Sequence, residues 1–304
     1  MPPRRERQAR MMPPRKHQDQ LEVLSPVARR LDRRPARGTM QPMYVTRQVR
    51  LFLDREHPPG PLPDSRGGWW EAGAETSLIV QVTVTGAVDS RTGFLCNATH
   101  LDSAIREHLG PLLWKRWLDT PARQYIDARL LLELPAPLQA GLPRNVTLHA
   151  LALCLTPDLA YTWTAGDSSM VSLTRSFEFA AAHRLHSSAL SEEENRRVFG
   201  KCANPSGHGH NYVVEVTVGG TPDAASGMLV PLADLERTVA EHVITLFDHK
   251  HLNEDCPEFA QLNPSVENIA RVIWDKLKGR FEHACLRRVR VYETPRTWAD
   301  YDGE

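Results

Sequence analysis

The feature that most constrains the fold of this chain is that it repeats itself. "MYVTRQVRLFLD" (43–54) lines up with "VSLTRSFEFAAA" (171–182), and "LIVQVTVTGAVDSRTGFL" (78–95) with "YVVEVTVGGTPDAASGML" (212–229). "ATHLDSAIREHLGPLL" (98–113) lines up with "LADLERTVAEHVITLF" (232–247). The order is kept, and the spacing shifts only between the first and second blocks. Such self-similarity means that one supersecondary unit is used twice. We therefore expect a tandem duplication, with copies over 43–165 and 170–304. The join falls in the small, polar "TAGDSSM", which has linker composition.

The second copy is the easier to read. "VSLTRSFEFAA" alternates and is rich in aromatic and β-branched residues, which predicts a strand. "YVVEVTVGG" predicts another. "PLADLERTVAEHVITLF" sets Leu232, Leu235, Val239, Val243 and Leu246 on one helical face behind a starting Pro231. Ser265 can cap a helix carrying Val266, Ile269, Ala270, Ile273 and Leu277 on one face. "LRRVRVYET" predicts a third strand and "TWADYDG" a short fourth. The order ββααββ makes an α+β unit, an antiparallel sheet with two helices on one face. A single sheet of this kind has two open edges, a liability removed if several sheets join into a barrel.

The bulk numbers set limits. A chain of 304 residues fits two domains. Lys plus Arg and Asp plus Glu are 37 each, and 41% of residues are hydrophobic. That composition fits a globular protein and argues against a general nucleic-acid binder. No apolar run is long enough to span a bilayer and no secretory segment is present, so we expect a cytoplasmic protein. The five cysteines, Cys96, Cys154, Cys202, Cys256 and Cys285, are odd in number and lack a framework spacing. We read them as reduced. Residues 1–42, beginning "MPPRRERQARMMPPRKHQ", are basic, proline-rich and without apolar periodicity, which predicts a disordered extension. It reads as a solvated segment, or as one lying ahead of a natural start at Met43. RNA binding through it would be strongly salt-dependent.

"GKCANPSGHGHNY" (200–212) carries the chemistry. His208 and His210 point to the same side if the segment is extended. His183 ends the preceding strand, so three imidazoles can converge. Three nitrogen ligands leave one position of a tetrahedral zinc site open, as a catalytic centre needs. A His-x-His pair alone fits hydrogen bonding as well as metal binding. His183 and the thiol tip the balance to metal, although spacing does not name the ion. Gly207 and Gly209 are expected to relieve crowding beside these ligands. Cys202 reads either as a small buried hydrophobe or as a reactive thiolate with Lys201 nearby. We do not count it as a fourth ligand; a free thiolate can serve as a base. In "LFDHKHLN", Asp248 can orient His249 and raise its basicity, or His249 can simply favour a helix C-terminus. Glu293, in "VYETP", is a strand-end carboxylate that could pair with the N–H groups of a guanidine-like heterocycle.

These motifs together resemble the 6-pyruvoyl-tetrahydropterin synthase family. The resemblance runs in order through "FEFAAAHRLHSSALSEEENRRVFGKCANPSGHGHNYVVEVTV", "LADLE", "DHKHLN", "VENIARVIWDKL" and "VYET", over about residues 171–304. It implies the tunnelling fold, whose sheets join into barrels with active sites between subunits. It also implies zinc and the substrate 7,8-dihydroneopterin triphosphate, which the related 6-carboxytetrahydropterin synthases of queuosine biosynthesis share. Carried over, it makes His183, His208 and His210 the zinc ligands and Cys202 the proton-abstracting base. Asp248 and His249 become a relay contributed by a neighbouring subunit, and Glu293 the anchor of the pterin ring. The insert "HSSALSEEENRRVFGKC" resembles the 6-pyruvoyl branch; the 6-carboxy product is the alternative, and a non-catalytic pterin-binding protein the other class.

The first copy departs from that pattern. His183 aligns with Arg55, His208 and His210 with Ala74 and Thr76, and Cys202 falls near Gly68. Asp248 and His249 align with Trp114 and Lys115, and Glu293 with Leu155. The first copy is therefore expected to share the fold and catalyse nothing. A homo-oligomer of three such chains would then form one active and one inert barrel.

Overall fold

The computed structural model describes residues 42–53, 76–119 and 127–304. The chain runs β1 (Met43–Leu53), β2 (Thr76–Gly86), α1 (Ala98–Ala104), a π-helical turn (Ile105–Leu109) and α2 (Gly110–Asp119). Then come α3 (Leu130–Glu133), α4 (Pro135–Gly141), β3 (Val146–Thr156) and β4 (Leu159–Thr164). The second half runs β5 (Val171–His183), α5 (Glu192–Phe199), β6 (His208–Gly220), α6 (Leu232–Val239), a second π-helical turn (Ala240–Ile244) and α7 (Thr245–Phe247). It finishes with β7 (Lys250–His251), α8 (Leu252–Asp255), α9 (Val266–Leu277), β8 (Cys285–Thr294) and β9 (Thr297–Tyr301). The antiparallel sheet is continuous in the order β1-β2-β3-β4-β5-β6-β8-β9, with β7 added in parallel to β5. The α+β class expected from the sequence is the class observed.

The sheet has two unlike faces because its side chains alternate. On one face Tyr212, Val214, Val216 and Val218 of β6 are fully buried against Leu235, Val239, Val243, Ile269, Ile273 and Leu277 of the helices. Each such side chain contributes on the order of 2 kcal/mol by leaving water. The other face is polar and hydrogen-bonded. Glu215, 2% exposed, accepts from the Tyr292 hydroxyl, and Arg290 forms a two-pronged pair with Asp300.

The two halves match in detail. The hydroxyls of Thr46 and Thr83 meet across β1 and β2 at 2.8 Å, and those of Thr174 and Thr217 meet across β5 and β6 at 2.9 Å. Arg47 pairs with Asp102 of α1 as Arg175 pairs with Glu236 of α6. The strand–helix loops repeat as well. Asp89 accepts from the backbone of Arg91 and Thr92, and Asp223 accepts from that of Ala225 and Ser226. Gly93 and Gly227 follow with φ of 75° and 72°. The register shifts at Thr83/Val84 in one half and at Thr217/Val218 in the other. The same correspondence holds for Cys154/Thr156 and Tyr292/Thr294.

One expectation is overturned here. β4 and β5 form a hairpin with Leu159 opposite Arg175 and Trp163 opposite Val171. The halves are thus neighbours in a single sheet, joined through six residues that include a 3-10 turn at Ala165–Asp167. A chain so joined does not divide into one active and one inert barrel. A second correction concerns the first long helix. Val239 and Val243 are buried as expected, but Leu246 is 37% exposed and Phe247 is buried instead. The π-helical turn closes with i→i+5 bonds and so holds an extra residue, which moves the apolar stripe on by one. The basic extension, Arg55, Gly68 and Ala74 lie outside the described residues.

Candidate active site

The imidazoles meet where β5 ends and β6 begins. Pairing along the whole of both strands brings His183 directly opposite His208, with His210 two residues further on the same face. One ring nitrogen from each lies within 4.8 Å of the others, and His183 Nε2 is 3.2 Å from His208 Nε2. His183 is fully buried. Its Nδ1 lies 2.8 Å from the carbonyl oxygen of Pro264, just ahead of the Ser265 cap of α9. A carbonyl only accepts, so Nδ1 carries the proton and Nε2 presents its lone pair to the cluster. The Tyr212 hydroxyl, 3.3 Å from the same Nδ1, closes that side.

Burial pushes His183 down to about 4, and the neighbouring histidines push in the same direction. His210 is also lowered, chiefly by burial, with the Glu293 charge opposing. Both rings are therefore neutral at neutral pH, the form that ligates metal. His210 Nε2 and His208 Nδ1 are buried without a hydrogen-bond partner among the described residues. An unpaired buried polar atom is costly, and that cost at His210 Nε2 is relieved if a ligand occupies the space it faces. Three neutral imidazoles, with one ring oriented from behind by a carbonyl, fit a divalent metal with an open coordination position. Glu293 stands beside them, its Oε1 3.4 Å from His183 Nε2 and 3.7 Å from His210 Nε2.

Cys202 reaches this region on a 3-10 turn, Gly200–Ala203, that follows α5. Its carbonyl accepts from Leu185 N at 2.9 Å, tying the turn to the chain leaving His183. The thiol is half-buried and outside the metal-ligand cluster. The insert that carries it is rigidly made. Ser191 and Glu194 form a reciprocal cap at the start of α5. Asn195, fully buried, accepts from Ser187 N and donates to the carbonyls of Ser187, Leu190 and Ser191.

Asp248 and His249 sit at the exposed edge of β5. Ala180 N donates to Asp248 Oδ1 at 2.9 Å, and His249 N donates to the Ala180 carbonyl at 2.6 Å. The backbone donor and then the His249 ring hold the Asp248 carboxyl below the usual carboxylate range. Asp248 Oδ2 accepts from His249 Nδ1 at 2.8 Å, while the ring stays 84% exposed and the backbone takes φ of 57°. A left-handed conformation at a non-glycine residue is strained, and such strain is concentrated at functional positions. His249, Lys250 and His251 share an open cleft of about 570 Å³ with Ala180, Ala181, Ala182, Gly209, His210 and Asn211. His249 and His210 of one chain thus border the same space.

Some details escaped the sequence. Gly207 is required, since at φ of 67° a Cβ would lie 2.7 Å from His251 Nε2 and 3.0 Å from the His183 carbonyl oxygen. Gly209 is not, because a Cβ there would meet only the Ala181 carbonyl at 3.6 Å. His251, Asn195 and Pro264 were not foreseen as part of the site. Only Asn195 had a signal nearby, the Ser191-x-x-Glu194 capping pattern.

Residues 172–304 match the family model described as 6-pyruvoyl tetrahydropterin synthase. The human 6-pyruvoyl tetrahydrobiopterin synthase is 45% identical over 139 residues, 46% of this chain and 96% of the relative. The chain belongs to the 6-pyruvoyl tetrahydropterin synthase family. The Drosophila melanogaster enzyme of the same name is 42% identical, over 43% of this chain and 79% of its own. A putative 6-carboxy-5,6,7,8-tetrahydropterin synthase of Archaeoglobus fulgidus is 39% identical over 31% of this chain and 73% of its own. Among solved structures, the 6-pyruvoyl tetrahydropterin synthase of Caenorhabditis elegans is 39% identical, with a TM-score of 0.42, over 44% of this chain and 96% of that one. The family match begins at β5, so it spans the half that holds the imidazole cluster, Cys202, Asp248, His249 and Glu293.

Proposed function

We propose that this protein is a zinc-dependent carbon–oxygen lyase that converts 7,8-dihydroneopterin triphosphate to 6-pyruvoyl-tetrahydropterin with loss of triphosphate. The observation that carries this reading is the three-imidazole cluster, with the Cys202 turn tied to the chain leaving His183, inside a half that is 45% identical to a named 6-pyruvoyl tetrahydrobiopterin synthase. His183, His208 and His210 hold the metal. A zinc ion held there would polarise the oxygens of the substrate side chain and acidify the carbon beside them. The Cys202 thiolate takes the proton from that carbon, and His249, steadied by Asp248, returns one. Triphosphate leaves, and keto–enol shifts carry hydrogens into the ring, so no redox cofactor is consumed. Glu293 accepts from the N–H groups of the pterin, and its place beside the imidazoles sets the ring against the metal. The setting is cytoplasmic, in keeping with five unpaired thiols.

Residues 43–165 are, on this reading, a duplicated unit that has kept the scaffold and lost the chemistry. The matched hydrogen bonds and register shifts of the two halves support it. Trp114 and Lys115 stand where the second half has Asp248 and His249, and Leu155 where it has Glu293.

A second product is favoured by one observation, the 39% identity to a putative 6-carboxytetrahydropterin synthase. That reaction also shortens the side chain by carbon–carbon cleavage. Zinc-loaded protein incubated with the substrate under anaerobic conditions, with products read by mass spectrometry, decides between them. A 6-pyruvoyl mass supports the proposal, a 6-carboxy mass moves the chain to the other branch, and absence of turnover by folded, zinc-bearing protein refutes both.

A further inference from the structure

We infer that Tyr212 is a positioning residue of this site. Its hydroxyl steadies His183 from behind, so that the imidazole presents Nε2 to the cluster in one fixed direction. The inference rests on the reading of His183, His208 and His210 as metal ligands, and not on the identity of the product.

Tyr212 lies two residues beyond His210 on the same face of β6 and is fully buried. Its hydroxyl is 3.3 Å from His183 Nδ1. That nitrogen carries the proton, and the Pro264 carbonyl at 2.8 Å takes the larger share of it. The phenol oxygen therefore accepts the second, longer share of the same N–H. The two acceptors come from different parts of the chain, one from β6 and one from the segment ahead of α9, and together they fix the plane of the His183 ring. The tyrosine ring limits the imidazoles further. It stands at 90° to His183 with 6.1 Å between centroids, and at 65° to His210 with 5.6 Å between centroids. One side chain thus packs edge-on against two of the three imidazoles.

Tyr212 is itself held in place. It stacks on Phe179, directly across the strand pair, at 5.0 Å and 18°, and Phe179 packs on Phe247 at 6.0 Å. Phe247 immediately precedes Asp248, whose carboxylate accepts from the N–H of Ala180, the residue after Phe179. The aromatic column therefore runs from the imidazoles to the Asp248–His249 pair.

The repeat shows that the scaffold does not need this column. Val214, Val216 and Val218 recur in the first half as Val80, Val82 and Val84, all fully buried. At the next position of the same face Tyr212 becomes Leu78. Phe179 becomes Leu51, which lies opposite Leu78 as Phe179 lies opposite Tyr212. Phe247 becomes Leu113, and all three leucines are buried. The first half has Arg55, Ala74 and Thr76 where the second has His183, His208 and His210. The same place in the same fold is filled by aliphatic side chains where the imidazoles are missing, and by three rings and a hydroxyl where they are present. Burying a hydroxyl for packing alone is unfavourable, so the polar group at Tyr212 answers to its partner.

The test uses full-length wild type, Tyr212→Phe and Val216→Ala. Each is stripped of metal and titrated with Zn2+ against a chromophoric chelator, then with Co2+, whose visible bands report ligand geometry. Both readouts are independent of turnover. Tyr212→Phe keeps the ring and removes only the hydroxyl. Its zinc affinity is expected to fall roughly tenfold or more, the usual effect of losing a group that orients a metal ligand. Its Co2+ bands are expected to shift, while the metal-free protein melts as the wild type does. Val216→Ala, further along the same buried face, is the packing control. It is expected to melt earlier and to bind both metals as the wild type does. Wild-type zinc affinity in Tyr212→Phe, or an equal loss in Val216→Ala, overturns the inference while leaving the metal site standing. A folded wild type that binds no zinc overturns the metal reading and the inference with it.

Discussion

At the scale of the residue, Cys202 and the imidazoles should separate cleanly by their readouts. Cys202→Ala is expected to lower turnover by roughly 10²–10⁴-fold, the usual worth of a positioned acid or base, while bound metal and melting temperature stay as in the wild type. Loss of metal in that variant would make the thiol a ligand and contradict its assignment. His210→Ala should do the reverse first, bringing metal content well below one per chain by elemental analysis. Burial lowers His183 from its ordinary value to about 4, so between about 6.5 and 4 the unfolded chain binds more protons than the folded one. The stability of the metal-free protein is therefore whole above that window and falls as the pH drops through it. Thermal melts of wild type against His183→Asn should show the difference shrinking with acidification, and a pH-independent difference would contradict it. The convergence of His183, His208 and His210 was legible because alternation along a strand is local, whereas Cys202, Asp248, His249 and Glu293 took their roles from the family resemblance alone. The Pro264 carbonyl that fixes His183 is 81 residues away along the chain, and no local pattern announces it.

At the scale of the element, the strands were legible because β5, β6, β8 and β9 alternate or carry β-branched runs, while their start points were less so. β6 begins at His208, four residues ahead of the apolar run at Tyr212, because pairing with β5 extends it. The π-helical turn could not be read from helical periodicity, which assumes a constant rotation per residue. The insert helix α5 is short and charged, with no apolar stripe, and it was not foreseen; its Ser191-x-x-Glu194 cap is the one local signal that could have found it. That insert positions Cys202, and Asn195 is its keystone. Asn195→Ala leaves the Ser187 N–H and the carbonyls around it unpaired in a buried place. It should cost roughly 2–3 kcal/mol. Differential scanning calorimetry should register that loss, and turnover should fall with it; an unchanged melt would mean the insert is held by other contacts.

At the scale of the whole molecule, the repeat predicted the paired architecture, yet not how its units are joined. Strand composition says that an edge exists but not which edge it meets. The hairpin between β4 and β5 answers that for one junction, and places a half without the chemical residues directly beside the half that holds them. The central claim, that this second half converts a pterin triphosphate, is tested most directly by the product. Zinc-loaded full-length protein and its Cys202→Ala variant are incubated anaerobically with 7,8-dihydroneopterin triphosphate, and the products are weighed. The account predicts the mass of 6-pyruvoyl-tetrahydropterin together with free triphosphate, both lost in the variant. Unchanged substrate after incubation with folded, zinc-bearing wild-type protein would contradict it.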